Sequence, residues 1–122
     1  MFLRVTIILQ TLALFASPIT AGLLLSTPHG RTLHSVAAYG VFTVTLLHLI
    51  AAILVWRPGG GSPRPIAYAA GFFGLTLAQI ALGIAQVTTL HVPLGALLFG
   101  LSVLQLSRVP AWRRAHVAPV SS

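Results

Sequence analysis

Of the four charged residue types, this chain uses one. Its 122 residues include no aspartate, no glutamate and no lysine, and all seven basic side chains are arginine. Without a carboxylate there is no Asp or Glu for general acid/base catalysis, no carboxylate relay for protons and no ligand for hard cations. Cysteine is missing as well, which removes disulfides, thiolate metal sites and thiol nucleophiles and leaves the redox compartment unread. The net charge of +7 would suit nucleic acid if it formed an exposed face. The arginines instead flank the apolar runs, where they act as topology signals, so no nucleic-acid partner is expected.

What is present is apolar: 57% of the residues are hydrophobic, 6% are charged and the mean hydropathy is +0.97, a balance that places the chain in lipid rather than in water. Four stretches, Val5 to Leu25, Leu33 to Trp56, Ile66 to Thr88 and His91 to Leu106, are each near the roughly 20 residues that cross a hydrocarbon core. Short connections make neighbouring spans antiparallel. The expected fold is therefore all-α, an integral membrane four-helix up-down-up-down bundle built from two tandem hairpins and packed through Gly and Ala. Residues 1–109 form the transmembrane domain, and residues 110–122 read as a mobile cytoplasmic tail.

Arg4, Arg57, Arg64, Arg108, Arg113 and Arg114 share one side of this arrangement and only Arg31 lies on the other. The positive-inside rule then puts both termini and the RPGGGSPRP connection in the cytoplasm of a multi-pass cell-membrane protein. The first span also has the grammar of a signal peptide, with Arg4, an apolar run and small residues near Ala21. Retention is expected, because the run continues through Leu25 and a fourth helix completes an even bundle.

The chain repeats itself. TLHSVAAYGVFTVTLLHL from Thr32 aligns without a gap on TLHVPLGALLFGLSVLQL from Thr89, a shift of 57 residues. The alignment pairs His34 with His91, Phe42 with Phe99 and His48 with Gln105, and makes the second and fourth helices equivalent about an axis along the membrane normal. An ionisable side chain inside a span is a functional hypothesis by default. His34 and His91 open inward-running helices at matching depth, diagonally across the bundle. Two such imidazoles suit the axial positions of a haem b iron, whose flat apolar porphyrin needs clamping between helices. Ala38 and Gly95, one turn on, would admit the ring edge, and Arg31 would neutralise propionates. The bland alternative is that both histidines are interfacial, capping helices or bonding backbone carbonyls.

His48 lies 14 residues after His34, about 21 Å along the helix and about 40° off the same face. Its repeat partner is Gln105, a poor haem ligand, so a second bis-histidine haem is not expected. A His48–Gln105 hydrogen bond, a quinone contact or a purely structural polar pair are the readings left open. On the third helix Gln79, Gly83 and Gln86 form a stripe that should face inward, either as interhelical glue or with Gln86 reaching a propionate or a ligand imidazole. Phe42 and Phe99 read as bundle packing. His29 and His116 are assigned no role.

The run LTLAQIALGIAQVTTLHVPLGALLFGLSVL, with RTLHSVAAYG before it, resembles a four-helix half-domain of the haem A synthase family. That resemblance implies a haem-type cofactor held between histidines at the outer starts of the second and fourth helices, which map onto His34 and His91. The family's catalytic glutamate, three residues before the first histidine, is Arg31 here, and neither a second half-domain nor a cysteine pair is present. The resemblance therefore implies a small cytochrome b-like scaffold more than an enzyme. The function expected is haem b binding for electron transfer or haem holding, within a larger respiratory or redox membrane complex. A cofactor-free structural or assembly subunit is the alternative from another class, and a diminished haem-modifying enzyme a third.

Overall fold

The computed structural model describes the backbone of residues 1–114 and side chains as far as Arg108. It is all-α, with helices α1 (Phe2–Ser26), α2 (Gly30–Trp56), α3 (Arg64–Ile84) and α4 (Thr88–Arg114) in chain order. Contacts run α1 to α2, α2 to α3, α3 to α4 and α4 back to α1. The four helices thus form a closed ring of adjacent hairpins with α2 diagonal to α4. All four are long and apolar enough to be candidate membrane spans.

Each helix turns a stripe of residues at steps of three and four toward the axis. On α1 the buried positions are Ile7, Gln10 and Leu14; on α2 they include Val41, Thr45, His48 and Ala52. Ala69, Phe72 and Thr76 follow on α3, and Leu98 and Ser102 on α4. Long apolar side chains such as Leu12, Phe15, Val36, Leu54 and Leu97 are exposed. Every buried polar group faces another helix or its own backbone while the exterior is apolar, the pattern that hydrocarbon as solvent selects, because lipid gives every reason to pair a polar group. Leu14, Val41, Phe72 and Leu98 make an apolar layer at mid-bundle. Phe42 packs tilted against Phe73 at 5.6 Å and Phe99 against Phe15 at 5.9 Å, so both repeat-related phenylalanines serve packing.

The helix ends differ from the hydropathy boundaries in two places. The third apolar stretch runs to Thr88, yet α3 stops at Ile84 because Gln86 takes φ 59°. Val87 N–H donates to Leu82 O at 3.0 Å and Gln86 N–H to Gly83 O at 3.2 Å, which is the Schellman closure of a helix by a left-handed residue. The fourth stretch ends at Leu106 in hydropathy, but α4 continues to Arg114. Of the tail expected from Pro110, residues 115–122, including His116, lie outside the described residues.

The two hairpins turn through three residues each, Thr27–His29 and Ala85–Val87, in the register of the 57-residue repeat to within one residue. They are not equally tight. A Cβ on Gly30 would collide with the backbone of Leu23 and Leu24, so α1 and α2 meet at a point where only glycine fits. The position related by the repeat is Val87. Gly30→Ala is expected to destabilise the bundle by about 2 kcal/mol, as overpacking against fixed backbone does. Gly100→Ala, at a glycine with open space beyond it, is the control that should cost nothing. Unfolding in mixed micelles titrated with dodecyl sulfate and followed by circular dichroism measures both, and equal midpoints would refute the close approach.

Candidate functional site

Two polar layers lie on either side of the apolar one. The outer layer, at the end of the bundle that carries His29 and Arg31, holds both repeat-related histidines. The hydroxyl of Thr20 donates to Ser17 O at 2.9 Å, so at 3.1 Å from His34 Nδ1 it acts as acceptor. Across the bundle, His91 Nδ1 lies 2.8 Å from the backbone carbonyl of Gln79, which can only accept. Both imidazoles are therefore assigned the Nδ1–H tautomer, which leaves Nε2 as the acceptor nitrogen, in His91 at 3.4 Å from the Gln79 amide nitrogen. Each is anchored by the preceding helix of its own hairpin, His34 by α1 and His91 by α3. Their ring centroids are 6.2 Å apart with the planes at 79°. The diagonal expected from the repeat thus brings the two rings together.

His91 reaches the backbone of α3 because Gly83, one turn beyond Gln79, has no side chain. A Cβ there would sit 2.8 Å from His91 Cε1. The Gln79 amide folds over the ring, its Nε2 3.4 Å from His91 Nε2, and rests on Gly95, whose Cβ would be 2.8 Å from the amide nitrogen. Its other end is unsatisfied: Gln79 Oε1 is buried without a hydrogen-bond partner among the described residues. The room at Gly95, which the sequence suggested for a ring edge, is occupied by this amide.

The remaining predicted residues fall in different places. Arg31 is exposed in the first turn of α2, one turn before His34, and Ala38 is half-buried on the same inward stripe. Gln86 is exposed and its Nε2 donates to Gly83 O at 2.9 Å. Together with its backbone conformation this places Gln86 at the closure of α3, so it does not continue the inward-facing stripe. Of the expected Gln79–Gly83–Gln86 stripe, Gln79 and Gly83 alone continue the inward face of Ala69, Phe72 and Thr76.

The inner layer, nearer the arginine-rich end, is centred on a residue the sequence reading passed over. Gln10, on α1, is fully buried. Its Nε2 donates to Ser102 Oγ at 3.1 Å and to Gln105 Oε1 at 3.2 Å, and its Oε1 accepts from His48 Nδ1–H at 2.9 Å. Thr11 adds a 2.7 Å contact to Ser102. His48 and Gln105 thus belong to one network, as anticipated, but through Gln10 and not by a direct bond. Gln10 was legible in one respect: it is the one amide in an otherwise apolar span. Thr20, the other missed partner, carries no sequence signal, since Thr occurs throughout the chain.

Among the described residues no guanidinium enters either layer: Arg4, Arg31, Arg57, Arg64 and Arg108 are all exposed. The interior chemistry is that of imidazoles, amides and hydroxyls. Such groups can ligate a metal through a free nitrogen or tie helices together. Replacing Gln10 by leucine strands His48 and Gln105 and leaves Ser102 with Thr11 alone, and a loss of about 1 to 3 kcal/mol is expected. A double-mutant cycle of Gln10→Leu with His48→Leu should return about 1 kcal/mol of coupling; additivity would show that the contact contributes nothing. Comparison with protein-family models, with curated proteins and with solved structures gives no match to this chain, so no family is assigned and the site stands on its residues.

Proposed function

We propose that this multi-pass membrane protein binds haem b between His34 and His91 and serves in electron transfer or haem holding, as part of a larger respiratory or redox assembly. The observation that carries the reading is the state of the two imidazoles. Each donates Nδ1–H to an oxygen of the neighbouring helix, which leaves Nε2 as the nitrogen that could ligate iron. Metal-ligating histidines are held in this way, the outer hydrogen bond fixing tautomer and ring plane. The described residues offer no group of three or more potential metal ligands. Two nitrogens make a poor site for a bare ion and a suitable one for iron that brings four porphyrin nitrogens of its own.

Adjustment at the site falls on one side chain. The Gln79 amide covers His91 Nε2 but leaves its own Oε1 buried and unpaired, so it gives up only a long contact in moving aside. Gly83 and Gly95 bring no Cβ to the same place, where one would meet His91 and the Gln79 amide. Arg31 supplies a cation for propionates at the surface, with the planar fork that carboxylates favour. Bound iron would supply one-electron chemistry, while this chain supplies ligation, burial and neighbouring charge. The arginines at one end of the bundle support an orientation with both termini in the cytoplasm.

The visible spectrum of the protein purified from haem-replete cells, before and after dithionite, tests the reading. Sharp low-spin b-type bands are expected, lost in His34→Ala and again in His91→Ala. A colourless, folded protein would overturn it and leave a cofactor-free scaffold. Bands that survive both substitutions but vanish in His48→Ala would put the ligand in the inner layer instead.

A further inference from the structure

The side of the bundle formed by α3 and α4 carries an open groove of about 250 Å³ toward the arginine-rich end. Its walls are Phe72 and Leu75 from α3 and Leu101 and Leu104 from α4, and at its polar end stand Tyr68, Gln105 and Arg108. We propose that this groove seats one anionic phospholipid, with the headgroup phosphate on Arg108 and an acyl chain along the leucines. The proposal is independent of the cofactor reading.

Three features support an anionic occupant. The whole sequence contains no Asp or Glu, so no side chain of the chain can balance Arg108, which is exposed at the polar end of an otherwise apolar groove. A phosphate brought by lipid supplies the missing charge, and basic pockets between spans at such a level are known to take acidic headgroups. Gln105 is the second feature. Its Oε1 is committed to Gln10, which holds the amide in the groove wall with the Nε2 donors available to a headgroup oxygen. The third is the notch at Gly71, where nothing lies within 4 Å of a Cβ position, leaving the groove open along its length. Tyr68, exposed at the same level, fits the aromatic zone of a membrane interface.

The full-length chain released from nanodiscs of equal phosphatidylglycerol and phosphatidylcholine, read by native mass spectrometry, tests this. Retention of one phosphatidylglycerol is expected, about fivefold over phosphatidylcholine, as one interfacial arginine allows. Arg108→Gln should abolish the preference and Arg4→Gln, at the same end but outside the groove, should keep it. Gly71→Leu, which fills the notch, should reduce retention of both lipids while the circular dichroism spectrum stays unchanged. Equal retention of the two lipids by the unmodified chain would overturn the proposal. So would an equal loss in Arg4→Gln, which would mean diffuse attraction, or displacement of the bound phospholipid by a neutral prenyl quinone.

Discussion

Within hydrocarbon a hydrogen-bond donor with no acceptor costs several kcal/mol, and water is not there to help. In this chain the constraint is sharper than usual, because no carboxylate exists to receive any donor. Each interior N–H must find a carbonyl, an amide oxygen or a hydroxyl on another helix. His34 finds Thr20, His91 finds the Gln79 carbonyl and His48 finds Gln10. These bonds decide which face of each helix turns inward. They also hold Nδ1 of each imidazole against an oxygen of a neighbouring helix, so the rule that holds the bundle together fixes the plane of three imidazole rings inside it.

The two hairpins meet this demand in different ways. In the first, Gly30 lets α2 touch the backbone of α1, and a hydroxyl is long enough to reach His34. In the second, the turn is closed by Gln86 in a left-handed conformation with Val87 behind it. There the imidazole itself crosses to the partner backbone over Gly83. The glycine that permits close approach has moved from the turn into the helix. A repeat that is regular in sequence has thus become asymmetric in packing, and the asymmetry lies around His91, where the Gln79 amide is left half-satisfied.

Much of the fold was legible in the sequence, since hydropathy and short connections leave few arrangements for four spans. The diagonal placement of His34 and His91 followed from the 57-residue repeat, because repeats preserve position in a ring of helices. Partners were legible where a residue type is rare, as with Gln79, and illegible where it is common, as with Thr20. Gln10 was missed although it is conspicuous, because its own repeat position is Ala67 and attention to the repeat favours paired residues. Gln86 misled for a different reason: spacing at i+3 from Gly83 fits a helical stripe, but the helix has ended there, and periodicity does not show where a left-handed residue will stop it.

The apolar layer of Leu14, Val41, Phe72 and Leu98 separates the outer histidines from the inner network. Among the described residues no side-chain hydrogen bond joins the two. Thr45 and Thr76, the polar residues near that layer, return their hydroxyls to carbonyls of their own helices. Among the described residues the bundle thus holds two separate hydrogen-bonded units, one on each side of the apolar layer and each closed on itself.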